Sequence, residues 1–417
     1  MTTKLCSRPK TTKRYVHPPY SERMFTLWAE GKIIFGEHDF DLETTNIMAE
    51  RIHKRMVSCA VWPFFGKDMI PFDFHTVKNG ITEDGTPIHS VTYELEKITF
   101  TMEVFCNTTR KSTLFGKITI KNISDEHIRE PLSLMLRTAF EAQFVPGQCD
   151  GYVSHNPDFS ACKNIPCAWY KKGDLYTDGK RCLTVSIPAG WNSKVGLVAI
   201  AVDLDPGEEL TFTFKLDNGE VTAYDYEEEK AKTIAFWQKE LSRINKLPAA
   251  IENDPKMHKS IRHMVTQLLQ MFAVTIPENL HILRQGGMQR AVWPTEALSA
   301  IEGLCRIGNF DSYIEPVFDT YFHAMQLPNG EIGPLGIPWA SMSAAVLYSF
   351  AQYCNTAKDR AFFQKYRDNA YSAFRYPGPL HWEHRVSATG PPEKSCLNFL
   401  TGLISSSAGH PPTYSIC

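Results

Sequence analysis

Several signals that would assign this chain to a particular class of protein are missing from its sequence. It has 44 lysine and arginine residues against 46 aspartate and glutamate residues, so its formal net charge is only -2, and no strong field attracts nucleic acid or an anionic membrane. No stretch approaches the roughly 18 apolar residues that a membrane-spanning helix needs. The basic extension at residues 1–19 lacks the apolar segment of a secretory signal. We therefore expect a cytoplasmic protein with neither nucleic acid nor membrane as a partner.

The cysteines also lack the spacing of a metal site. The chain has 11 of them, and the pair Cys162 and Cys167 has no second pair at zinc-ribbon spacing. Scattered cysteines of this kind are typical of reduced, buried thiols. No other motif indicates a metal or a cofactor, so we expect neither.

Alternating strands are the main feature of the first half of the chain. Hydrophobic residues make up 43% of the 417 residues, which is enough for more than one core. Short runs alternate apolar and polar residues at 90–105, 115–126 and 196–220, with turn sequences such as Asp205-Pro206-Gly207 between them. Each such strand has one apolar face that another sheet must cover. The pattern predicts an antiparallel β-sandwich domain over residues 20–222.

Helical spacing replaces this alternation near residue 225. Apolar residues within 227–248 recur once per helical turn and predict a linker helix inside residues 223–250. The pair Asp254-Pro255 is a helix-start signal and predicts the first helix of a second domain, residues 251–376.

A repeat of helical pairs is the main feature of the second half. Apolar helices begin at Pro294 and Pro338, 44 residues apart, and amphipathic partners follow them from Asp311 and Asp359. An apolar helix is enclosed on most sides, whereas its amphipathic partner covers it from outside. The repeat predicts helical hairpins that have an inner and an outer member. The acids Asp311, Glu315 and Asp319 are then expected on a solvated outer face.

The run AVWPTEALSAIEGLCRIGNFD, residues 291–311, resembles the Trp-Pro helix start of glycoside hydrolases that have a six-hairpin (α/α)6 barrel, the glucoamylase type among them. The resemblance implies an N-terminal β-sandwich, a linker helix and then such a barrel, acting as a glycosidase on a carbohydrate substrate. This chain has Thr295 and Glu296 where the family has arginine and aspartate.

Two glutamates are the candidate catalytic-site carboxylates. If Pro294 is the first helical residue, Glu296 occupies the third helical position and shares a face with Ala300, so its carboxylate should point into the barrel mouth. The alternative is that Glu296 only favours the helix N-terminus. The resemblance implies that it contacts sugar hydroxyls. Trp382-Glu383 resembles the Trp-Glu pair that carries the general acid in the glucoamylase family, which makes Glu383 the candidate acid.

Five further residues are candidates for substrate binding. Gln289 and Arg290 carry amide and guanidinium donors suited to sugar hydroxyls, and ordinary solvation in a loop is the alternative for each. The indoles of Trp293 and Trp339 stand at equivalent positions of the two inner helices and could stack on a sugar ring, or fill the core instead. Glu331 lies in the Gly- and Pro-rich loop 327–338 that leads to the second inner helix, where ordinary solvation is the alternative.

The length of the helical region predicts an incomplete barrel. Six hairpins of this period need roughly 270 residues, more than remain after residue 254, and residues 377–417 form an irregular tail without helical periodicity. An open helical flank is expected to recruit a second copy of the chain, giving a homo-oligomer. Two alternatives to a hydrolase stay open: a phosphorylase or polysaccharide lyase on the same fold, and a non-catalytic sugar-binding or scaffold protein.

Overall fold

A computed structural model of the chain forms two compact units, residues 1–290 and 291–417. The residues that it describes are 14–28, 31–37, 39–40, 59–68, 70–71, 76–138, 169–171, 174–177, 180–192, 197–217, 223–274, 276–277, 279–284, 298–332 and 340–376. The domain limits predicted at residues 222 and 250 stay predictions, because both positions lie inside the first compact unit.

The first unit is built mainly from β-strands. In chain order they are β1 (Arg14–Tyr15), β2 (Arg23–Leu27), β3 (Ile33–Glu37), β4 (Asp39–Phe40), β5 (Cys59–Phe65), β6 (Ile70–Pro71), β7 (Lys78–Ile81), β8 (His89–Glu94), β9 (Ile98–Cys106), β10 (Leu114–Asn122), β11 (Ile128–Thr138), β12 (Trp169–Lys171), β13 (Asp174–Thr177), β14 (Lys180–Val185), β15 (Gly190–Asn192), β16 (Leu197–Leu204), β17 (Glu209–Leu216), β18 (Phe272–Val274), β19 (Ile276–Pro277) and β20 (His281–Leu283). The three stretches predicted as strands all contain strands.

Sixteen of these strands form two antiparallel sheets of eight strands each, and the other four form two two-stranded sheets, β18-β20 and β19-β4. One large sheet has the order β1-β2-β3-β5-β11-β16-β15, with β6 paired to β5, and the other large sheet has the order β12-β13-β14-β17-β10-β9-β8-β7. Strand β9 shows why they form: its residues alternate between buried and half-buried, with Phe100 and Val104 fully buried. These side chains share one hydrophobic core with Leu132 and Ile200 of the other sheet, as two amphipathic sheets require.

Three helices follow the strands within the first unit: α1 (Tyr226–Leu241), α2 (Ala249–Glu252) and α3 (Pro255–Leu269). The carboxylate of Asp254 accepts from the N–H groups of Lys256 and Met257 with Pro255 in the first turn, so the predicted helix start is confirmed. Helix α1 ends before Pro248, because the N–H groups of Arg243 and Ile244 bond three residues back, which tightens the chain and stops the helix.

The described residues of the second unit form α4 (Ser299–Ile307), α5 (Asp311–Asp319), a π-helical turn (Thr320–Ala324), α6 (Ala340–Ala357) and α7 (Arg360–Arg375). Helix α6 packs against both α4 and α7. Helix α7 is amphipathic, with Phe362, Tyr366 and Ala370 buried at intervals of one helical turn. The predicted mixture of β and α units is therefore confirmed. No helix in the described ranges is long and apolar enough to span a membrane.

Candidate functional site

Most of the residues predicted to act on substrate lie outside the described part of the chain. These residues are Gln289, Arg290, Trp293, Glu296, Trp339 and Glu383. Their roles stay predictions. Glu331 is described, and it lies in a short loop, residues 326–332, between the π-helical turn and α6.

A tight turn gives this loop its shape. The N–H of Gly330 donates to the carbonyl of Leu327 at 2.9 Å, and the N–H of Leu327 donates to the carbonyl of Glu331 at 2.8 Å. Pro328 presets the φ angle of the first central position, and Gly330 has φ +93°, which glycine adopts at little cost. The turn therefore follows from the local sequence Leu-Pro-Asn-Gly.

Side chains from α6 and α7 hold the loop in place. The Nε2 of Gln326 donates to the carbonyl of Asn369 at 2.8 Å, and the Nδ2 of Asn369 donates back to Gln326 Oε1 at 2.7 Å. On the other side, the hydroxyl of Ser343 accepts from the N–H of Ile332 at 2.9 Å and lies 3.1 Å from its carbonyl. The loop is therefore joined to two helices by hydrogen bonds that are buried or half-buried.

The carboxylate of Glu331 is half-buried at this place. It hydrogen-bonds the hydroxyl of Tyr376, which follows α7; burial, and then this bond, raise the pKa of Tyr376. Among the described residues no lysine or arginine forms an ion pair with Glu331. A carboxylate held by one neutral donor keeps acceptor sites for other hydroxyl groups.

The acids along α5 reach solvent, since Asp311 is exposed and Glu315 and Asp319 are half-buried, and each also has a protein partner. The hydroxyl of Tyr353 lies 3.0 Å from Asp311 Oδ1 and 2.8 Å from Glu315 Oε1, while Asp319 pairs with Lys365 at 2.9 Å. These contacts join α5 to α6 and α7. The three carboxylates therefore have structural partners, which helical periodicity alone does not reveal.

Sequence reasoning did not identify Tyr376, Asn369 or Ser343 as neighbours of Glu331. The Asn329-Gly330 pair signals the turn, but nothing local signals that Ser343, 11 positions from Ile332, and Asn369, 43 positions from Gln326, hold the loop. Elsewhere in the described ranges, no group of three or more His, Cys, Asp or Glu residues could hold a metal ion.

Comparison with known proteins identifies no family: no family model matches the chain, and no curated protein does. Among solved structures, the chain is similar to a protein assigned as a kojibiose phosphorylase from human microbiome, with 11% identity and a TM-score of 0.38 over 85% of this chain. It is also similar to a GH92 family glycosyl hydrolase, with 10% identity and a TM-score of 0.26 over 86% of this chain. A polysaccharide lyase has 10% identity and a TM-score of 0.20 over 88% of this chain.

The chain spans only part of these structures. It covers 55% of the phosphorylase, 61% of the glycosyl hydrolase and 68% of the lyase. The similarity is too low to define a family.

Proposed function

We propose that this chain is a carbohydrate-active hydrolase that cleaves glycosidic bonds with carboxylates as acid and base. The observation that carries the proposal is the Glu331 loop: a half-buried carboxylate without a cationic partner among the described residues is held on a hydrogen-bonded turn that leads into α6. Sites that bind sugars need acceptors placed in this way on rigid elements. A second support is the sequence resemblance to the six-hairpin glycosidases, which lies in the Trp-Pro-Thr-Glu run at residues 293–296 and in the hairpin repeat.

In this proposal the architecture is a β-sandwich over residues 20–222, a linker helix over 223–250 and a partial (α/α)6 barrel over 251–376. The packing of α6 on α4 supports a neighbouring pair of inner helices. Residues 377–417, predicted as an irregular tail, lie outside the described residues.

The proposed roles divide between chemistry and binding. Glu383 is the general acid that protonates the leaving oxygen, a step that needs a carboxyl group with a raised pKa. Glu296 and Glu331 accept hydrogen bonds from sugar hydroxyls. Trp293 and Trp339 stack on sugar rings, and Gln289 and Arg290 donate to ring substituents.

The test is a screen of purified protein against aryl α- and β-glycosides, with and without inorganic phosphate. On an active substrate, Glu383→Gln should lower kcat by about 100-fold or more, as loss of a general acid does. Glu331→Gln removes only a charged acceptor and should raise KM by about tenfold with little change in kcat.

Asp368→Asn is the matched control, because the side chain of Asp368 is 85% exposed and, among the described residues, forms an ion pair with the neighbouring Arg367 alone; it should leave both constants unchanged. Turnover that requires phosphate would instead indicate a phosphorylase, and an unsaturated product would indicate a lyase. Sugar binding without turnover on any substrate would contradict the proposed hydrolase and indicate a binding protein.

A further inference from the structure

The turn between β7 and β8 is held against α3 by hydrogen bonds to its backbone. The hydroxyl of Thr266 donates to the carbonyl of Gly85 at 2.7 Å, and Nε of Arg262 donates to the carbonyl of Asp84 at 2.6 Å. Gly85 has φ +90°, and a Cβ there would lie 3.0 Å from the Cβ of Arg262. Helix α3 therefore presents the residues around Arg262 directly to this turn.

Strand β1 approaches the same hairpin from another side. A guanidinium nitrogen of Arg14 donates to the carbonyl of Gly80 at 3.0 Å. The next residue, Tyr15, has its carbonyl 3.1 Å from Nε2 of His89, and His89 pairs with Ile81 across the β7–β8 ladder. Arg14 and His89 thus meet at the base of the hairpin whose turn contacts Arg262.

Three imidazole nitrogens in this region have no hydrogen-bond partner within the described part of the chain. They are Nδ1 of His89 and both Nδ1 and Nε2 of His263, and all three atoms are buried. Burial and, after it, the charge of Arg14 lower the pKa of His89 to about 3. Burial is the largest cause that lowers the pKa of His263, and the positive charge of Lys259 is the next. A buried polar atom without a partner costs about 1–3 kcal/mol, so such atoms indicate a missing ligand or water.

The charges around these rings do not balance. Lys259 pairs with Glu83 at 3.0 Å, and the two carboxylate oxygens of Asp84 accept from the N–H and the hydroxyl of Thr86, each at 2.9 Å. Among the described residues, neither guanidinium group, of Arg14 or of Arg262, forms an ion pair with a carboxylate. Positive charge and free donor capacity are therefore left over at this place.

We propose that Arg14, Arg262 and His263 bind a small oxyanion such as a phosphate group. Guanidinium donors suit the oxygens of phosphate, sulfate and carboxylate groups. A neutral imidazole adds one N–H donor. An anion here neutralises the two guanidinium groups and accepts a hydrogen bond from the one ring N–H of neutral His263. The site lies within the first compact unit and is independent of the proposed hydrolase chemistry.

The test measures the melting temperature of the full chain in inorganic phosphate, with sodium chloride of equal ionic strength as the reference. A ligand that binds only the folded state raises the melting temperature in a saturable way. We expect this rise for the wild type and a loss of affinity of about tenfold or more in Arg262→Gln and in His263→Gln. Titration calorimetry with phosphate measures the affinity directly.

His263→Gln makes the test independent of folding defects. The ring of His263 makes no hydrogen bond to any residue that the structure describes, so without phosphate this variant should be at least as stable as the wild type. Arg129→Gln and His127→Gln are matched controls, since their side chains are 84% and 52% exposed, and they should keep the full phosphate effect.

Sulfate and acetate serve as parallel probes. Binding of phosphate and sulfate alone assigns a tetrahedral anion, and binding of all three assigns oxyanions in general; both results support the site. A wild type that responds no more to phosphate than to chloride would overturn the proposal, as would controls that lose the effect together with His263→Gln.

Discussion

Gly330 decides where the carboxylate of its neighbour Glu331 lies. The residue has a positive φ angle, and its α-carbon faces the backbone of α7: a Cβ would overlap the carbonyl oxygen of Ser372 and lie 2.6 Å from its carbonyl carbon. Backbone atoms of a packed helix cannot move aside at low cost. The turn therefore tolerates only glycine, and its contact with α7 positions the candidate site residue.

Replacing Gly330 with alanine should destabilise the protein by about 2 kcal/mol or more, since both the φ angle and the overlap with Ser372 oppose a side chain. Urea denaturation followed by circular dichroism measures the change in free energy of unfolding. Gly303→Ala is the matched control in α4: nothing lies within 4 Å of its added Cβ, and alanine should stabilise this helix by up to about 1 kcal/mol. Equal effects of the two substitutions would contradict this explanation.

At the scale of elements, aspartate residues define the helix starts in both units. Asp225, Asp254 and Asp359 each accept a backbone N–H from the first turn of α1, α3 and α7. Two of these starts, at Asp254 and Asp359, follow from sequence alone, because a capping side chain acts on residues two or three positions away. The π-helical turn after α5 has no such local signal and was not predicted.

Asp359→Ala should cost about 1 kcal/mol of stability, the usual effect of removing an N-cap side chain. The carboxylate of Asp359 accepts from the N–H of Phe362 at 2.9 Å, and this bond is lost. Asp359→Asn keeps a hydrogen-bond acceptor and should leave the stability nearly unchanged. Thermal unfolding of the three proteins checks the order; an asparagine variant as unstable as the alanine variant would show that charge, rather than capping, is the main contribution.

At the scale of the whole molecule, a buried histidine connects parts of the first unit that are far apart in sequence. The Nδ1 of His17 accepts from the N–H of Phe25, and its Nε2 lies 2.7 Å from the carbonyl of Gln270. The ring is therefore neutral and donates through Nε2. Burial is the main cause that lowers the pKa of His17 to about 4, against an ordinary value of 6.5.

This burial makes the first unit sensitive to acid. His17 and His89, with pKa values lowered to about 4 and about 3, stay neutral when folded but take up protons when unfolded below pH 6.5. Their stabilisation is complete above pH 6.5 and is lost as the pH falls towards 4, by about 1.4 kcal/mol per pH unit for each histidine. Denaturant midpoints measured from pH 7.5 to pH 4.5 should fall accordingly.

His17→Gln should reduce this slope, because a glutamine takes up no proton. The exposed His127 is the control. A hydrogen bond to Asp205 raises its pKa, so its contribution to the stability of the folded state is present at low pH and is lost as the pH rises. His127→Gln should therefore not relieve the loss of stability in acid. A slope that His17→Gln leaves unchanged would contradict the assignment.

The sequence by itself determined the strands within residues 90–105, 115–126 and 196–220 and the helix starts at Asp254 and Asp359. Alternation in β9, the cap at Asp254 and the turn at Asn329-Gly330 depend on neighbours within a few residues, so local patterns were sufficient. Only the tertiary structure decided that Tyr376 binds Glu331, that Tyr353 reaches the acids of α5 and that Arg14 lies near His263. These contacts join residues separated by tens to hundreds of positions, and the packing of sheets and helices brings them together.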